Sequence, residues 1–196
     1  MTLLHNIHPL LQADIFLAPG SYFHLEYSDV DYHRLPATLK KLHNQQLIQQ
    51  YLLPWPDSTT ARLPRILSME WNQLPKVALG LGAILHSGAL PWWGELAAFS
   101  DLRHKYSDPL WQCTDRESPT PQHLLALGAE QLFAYITPFG RAYTERLKYM
   151  FSNQTLALIP SSFNAMLPWN IIEETCRYVR KNTAWYPTNR MWKSID

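Results

Sequence analysis

His24-Leu25-Glu26 sets an imidazole and a carboxylate two residues apart, the H-x-E step that opens the zinc deaminase motif. That chemistry also needs a P-C-x-x-C pair to hold the metal. The only two cysteines, Cys113 and Cys176, are far apart and in no ligand spacing. His5 and His8 stand three residues apart, and the other histidines are scattered. Lone histidines serve more often as caps, packing groups or surface groups than as ligands, so neither a metal nor a cofactor is expected. There is no G-x-S-x-G nucleophile elbow, and neither cysteine lies in a catalytic setting. Carboxylate pairs for glycoside hydrolysis need only meet in space, and nothing in the sequence nominates such a pair.

The stretch Val77–Gly94, VALGLGAILHSGALPWWG, holds four of the seven glycines. A dinucleotide fingerprint would need glycine where Leu85 stands and a strand where Leu74-Pro75-Lys76 stands. A P-loop would need Gly-Lys-Ser/Thr, which is absent. A membrane span needs about 20 apolar residues, and the uninterrupted run Val77–Leu85 stops at His86 and Ser87. No direct membrane insertion is expected. The stretch reads instead as a buried core helix. Gly80, Gly82 and Ala83 lack bulk, so a neighbouring helix can approach closely there. His86 stands where it could cap the last carbonyls.

The elements around this helix are punctuated by fifteen prolines. Pro36 opens a helix of Gln, Leu and Lys that Pro54-Trp55-Pro56-Asp57-Ser58 ends. Pro64 starts a short helix through Trp71. In Pro121–Thr137, Leu125, Ala129, Leu132 and Ile136 recur at i, i+4, i+7 and i+11. Pro138 stops that helix, and Phe139–Ser152 carries Phe139, Tyr143, Leu147 and Met150 at helical spacing. Trp169, Ile172, Cys176 and Val179 form another stripe, supported by Glu173 four residues before Arg177. Gln154–Ile159 and Leu25–Val30 are candidate short strands. The expected fold is all-α or nearly so: an irregular compact helical domain over 1–183, with proline-bounded loops and an aromatic tail at 184–196.

The formal charge is +1 over 196 residues, and no Lys/Arg run builds a stripe for nucleic acid. Charged residues make up 17%, against roughly 25% in an average soluble domain. Eight Trp and ten Tyr in such a chain suggest apolar surface kept for a partner. MTLLHNIHPLLQADIF lacks a basic n-region and a small-residue cleavage site, so a cytosolic protein is expected. Trp92 and Trp93 follow Pro91, and adjacent helix positions point about 100° apart. Either one packs inward while the other covers a loop, or the pair anchors a partner. Trp185, Tyr186 and Trp192 in the tail allow the same two readings.

Three stretches together resemble the SctK family. They are Phe16-Leu17-Ala18-Pro19 with Tyr22-Phe23-His24-Leu25-Glu26, then Leu81-Gly82-Ala83-Ile84-Leu85-His86-Ser87-Gly88, then LGAEQLFAYITPFGRAYTER from Leu127 through Arg146. Order and spacing agree over roughly residues 14–160, and the last quarter carries no recognised motif. The resemblance implies a mainly helical, non-enzymatic adaptor of a bacterial type III secretion sorting platform. Such a protein sits at the cytoplasmic face of the inner membrane. It would link the forkhead-associated-like cytoplasmic domain of the inner-membrane ring protein to the SctQ pod protein, and through SctQ to the SctL stator and the SctN ATPase. Tyr22, His24, Gly82 and His86 match recurring positions and are read as fold determinants. The alternative is a small helical hydrolase or ligand-binding domain with His24 and Glu26, or His86, beside an aromatic pocket.

Overall fold

Pro36, Pro64, Pro75 and Pro121 each stand at or beside the start of a helix, where a missing N–H costs nothing. In the computed structural model, which describes residues 13–90, 94–112, 119–159 and 166–182, all the regular structure is helical. The helices are α1 (Ala13–Leu17), α2 (Ala37–Gln50), α3 (Arg65–Met69), α4 (Leu74–Leu85), α5 (Ser100–Tyr106), α6 (Pro121–Ile136), α7 (Arg141–Lys148), α8 (Asn153–Ala157) and α9 (Trp169–Asn182). Short 3-10 turns join several of them, at Pro19–Ser21, Tyr32–Arg34, Trp71–Gln73, Gly94–Phe99 and Thr137–Phe139.

Helix α4 is the centre, and every residue from Val77 to Leu85 is buried. Its closest neighbour is α6. A Cβ on Gly82 would lie 1.8 Å from the carbonyl oxygen of Leu124, and a Cβ on Gly128 would lie 1.7 Å from that of Ala78. No side chain fits at either distance, so the two backbones touch. Ala78 meets Gly128 and Gly82 meets Leu124, so the helices run antiparallel. Each offers a glycine and, one turn earlier, a carbonyl. The glycine Cα hydrogens therefore face carbonyl oxygens, contacts worth about 0.5–1 kcal/mol each. On the other side of α4, Gly80 leaves room for the Phe99 ring and the Thr175 methyl group of α9.

Buried polar side chains tie the outer segments to this pair. Gln131 of α6 accepts the Leu167 N–H at 2.8 Å and so positions the start of α9. Asn44 of α2 accepts the Gly20 N–H at 2.9 Å and donates to the Tyr32 hydroxyl at 2.9 Å. The α6–α7 break needs Gly140, whose φ of +127° ends the turn at Pro138 and starts α7. The stripe over Phe139–Ser152 is therefore helical only from Arg141 to Lys148.

Among the described residues there is no strand. The candidate strand Gln154–Ile159 lies instead in and beyond α8. Ser152 caps that helix by accepting the Thr155 N–H at 3.1 Å, and a lone strand would leave its amides unpaired. Leu25–Val30 holds two turns, closed by Tyr27 N–H to His24 O and Ser28 N–H to Leu25 O. The aromatic tail 184–196 lies outside the described residues.

Gly128→Ala is expected to destabilise the protein by about 3 kcal/mol, because the methyl group meets main chain rather than a movable side chain. Gly80→Ala meets mostly the Phe99 ring and should cost less. Urea unfolding of both variants checks this; an unchanged midpoint for Gly128→Ala would contradict the backbone contact.

Candidate functional site

Tyr22 closes the turn that starts at Pro19, His24 and Glu26 lie on the next turn, and each acts on the main chain. The Tyr22 hydroxyl donates to the Ile15 carbonyl at 2.5 Å and its ring meets Trp71 edge-on at 6.0 Å. Burial raises its pKa well above the usual tyrosine value, so it remains a donor. His24 donates its amide to Tyr149 O at 2.8 Å, and its Nδ1 accepts the Glu26 amide at 3.3 Å. The Glu26 carboxylate accepts the Asn153 amide at 2.8 Å, and the Tyr27 hydroxyl donates to Asn153 Oδ1 at 2.9 Å. The H-x-E step thus holds the start of α8, where a negative charge is favoured.

His86 stands elsewhere, at the end of α4, and is 2% exposed. Its amide donates to Gly82 O at 3.0 Å. Its ring bonds the Ala89 main chain. The carbonyls beyond the helix are taken by Arg103 of α5, which donates to His86 O at 2.8 Å and Gly88 O at 2.5 Å. The cap expected of His86 is therefore supplied by Arg103. Burial first, and then the Arg103 charge, hold the imidazole below its ordinary 6.5. It is neutral at pH 7.

Sequence reasoning missed Arg146. It lies in the last turn of α7, outside the stripe of Tyr143 and Leu147 read from the sequence, and it is fully buried. Its guanidinium donates to Pro54 O at 2.6 Å and Ala142 O at 2.9 Å and lies 4.9 Å from the Phe16 ring. The carbonyl of Pro54 is far away in sequence, so no local signal marks the pair. Cys176 is buried, and burial followed by Glu70 and Glu173 pushes its thiol up to about 12. A thiol so placed is a poor nucleophile.

The structure does not bring these groups together. His24 bonds the Tyr149 carbonyl and the Glu26 amide, Glu26 serves the start of α8, His86 stands at the end of α4, and Arg146 serves the Pro54 loop. Among the described residues no three His, Cys, Asp or Glu stand close enough to hold a metal. An open depression on α5 is lined by Ser100, Asp101, His104 and Lys105. No described helix is long and apolar enough to cross a membrane. Trp92, Trp93, Trp185, Tyr186 and Trp192 lie outside the described residues.

The family described as "Bacterial type III secretion apparatus protein (OrgA_MxiK)" has a model that matches residues 12–178. The chain belongs to this family, which is SctK. The match extends beyond the motifs read from the sequence and takes in most of α9. Tyr22, His24, Gly82, His86, Trp92 and Trp93 fall inside it, and Trp185, Tyr186 and Trp192 fall beyond it. Comparisons with curated proteins and with solved structures give no match. OrgA_MxiK proteins are components of a secretion apparatus.

His86 fixes a pH dependence. The unfolded chain takes up a proton near pH 6.5, whereas the folded ring resists it. Its contribution to stability is complete above pH 6.5 and is lost as pH falls below that value. His86→Gln should flatten the fall in urea midpoint between pH 7.5 and 5.5. An identical slope in variant and parent would contradict the assignment.

Proposed function

We propose that this OrgA_MxiK protein is a non-enzymatic adaptor of the type III secretion sorting platform. One surface docks the forkhead-associated-like cytoplasmic domain of the inner-membrane ring protein. Another docks the SctQ pod protein, which carries the SctL stator and the SctN ATPase. The protein works in the bacterial cytoplasm, at the inner membrane. The observation that carries this reading is the family match over residues 12–178. The packing supports it, because a helical body with a backbone-to-backbone contact at its centre is stiff enough to set a spacing. The chemistry-bearing side chains support it too, since His24, Glu26 and Arg146 bond main-chain groups. Each docking surface needs about 800 Å² per partner.

Size-exclusion chromatography with light scattering tests the reading, with the full chain mixed with each partner from the same bacterium. The expected result is a complex with both. No complex with either at high concentration would overturn it. Trp92→Ala or Trp93→Ala is expected to weaken one of the two complexes by tenfold or more, the size of a hot-spot loss, with an unchanged circular dichroism spectrum. Unaltered binding would remove the tryptophan pair from the interface.

A further inference from the structure

Arg146 is a buried cation whose hydrogens are only partly used. A guanidinium has five N–H hydrogens, and Nη1 gives its two to Pro54 O at 2.6 Å and Ala142 O at 2.9 Å. Phe16, with its ring centre 4.9 Å away, and Trp55, at 6.0 Å, pack on the group. The remaining hydrogens, on Nε and Nη2, have no acceptor within hydrogen-bond geometry.

Two more donors without an acceptor stand in the same place, the Trp71 Nε1–H and the Tyr143 hydroxyl. Trp71 is 2% exposed, and Tyr143 and Arg146 are fully buried. The Trp71 and Tyr143 ring centres are 6.0 Å apart, and Tyr143 lies 5.1 Å from the Phe16 ring that Arg146 covers. Tyr143 also stands one turn before Arg146 on α7. Trp71 and Arg146 both face the Tyr22 hydroxyl, whose own hydrogen goes to Ile15 O. Its two lone pairs are too few for the hydrogens of Trp71, Nε and Nη2 together. Buried donors without partners are rare in native proteins, and a cluster of them marks a missing acceptor.

The electrostatics give that acceptor its charge. Arg62 adds a second positive charge near Tyr143, and among the described residues no carboxylate acts on Tyr22, Tyr143 or Arg146. Burial lowers the Arg146 pKa, as it does for a charge with no counter-ion, and a guanidinium still keeps its proton at pH 7. A water molecule would bring two hydrogens of its own to a place already rich in donors. The Ile15, Pro54 and Ala142 carbonyls beside it each accept a bond already. An anion accepts from every donor and neutralises the guanidinium. Burial of all three side chains restricts it to a small one.

We propose that Trp71, Tyr143 and Arg146 form an internal site for a small anion of the chloride class, where α1, the Pro54 loop, the Trp71–Gln73 turn and α7 meet. The site stands apart from the adaptor reading, and neither depends on the other.

Urea unfolding of the full chain at fixed ionic strength tests it, with sodium chloride exchanged stepwise for sodium gluconate, whose anion is too large for a buried site. The expected result is a midpoint that rises with chloride and then levels off as the site fills, from which a chloride dissociation constant is read. Bromide should act as chloride does. Tyr143→Phe and Trp71→Phe each keep an aromatic ring and remove one donor. Each should weaken the chloride dissociation constant by about tenfold, the size of one lost bond to a charged acceptor.

An equal midpoint in chloride and gluconate would overturn the proposal and make a buried water the acceptor. A chloride effect of the parent's size in both variants would overturn it as well, by placing the ions on the surface.

Discussion

Two glycines set against two carbonyls hold the centre of this molecule. Gly82 on Leu124 and Gly128 on Ala78 bring α4 and α6 into main-chain contact. Glycine inside a helix costs about 1 kcal/mol relative to alanine, and close packing of the two helices offsets it. Once α6 covers one side of α4, the remaining sides of an all-apolar helix also have to be covered. Phe99 and Thr175 fill the space at Gly80, and the Tyr178 hydroxyl donates to Ala98 O to hold α9 over them. The order of packing follows from burying the most apolar segment first.

The polar groups follow the same logic. A fold built from short helices and long connections has many amides and carbonyls outside regular ladders, and each buried one needs a partner. Arg103 serves the carbonyls after α4, Arg146 serves Pro54, Glu26 serves Asn153, and Gln131 serves Leu167. Side chains that could do chemistry elsewhere are bound here to irregular backbone.

Much of this was legible in the sequence where the signal is local. Val77–Leu85 reads as a buried helix because its run is too short for a membrane and its glycines fit no phosphate motif. The stripes of α6 and α9 and the proline starts of α2, α3 and α4 are equally local. What faces Gly82 was not legible, because Gly128 has no feature of its own until α6 is laid across α4. Gln154–Ile159 misled for a similar reason. Its apolar run suits a strand, and the Glu26 and Ser152 bonds that fix it as a helix start come partly from far away in sequence. Arg146 was not singled out because nothing near it in sequence announces the Pro54 carbonyl.

Native-state hydrogen exchange on the isolated chain tests the central contact most directly. If the α4–α6 crossing holds the rest together, amides of Val77–Leu85 and of Leu124–Leu132 should exchange only through global unfolding, with the highest protection among the helices. Exchange of α4 or α6 through a smaller opening, while α7 and α9 stay protected, would contradict it.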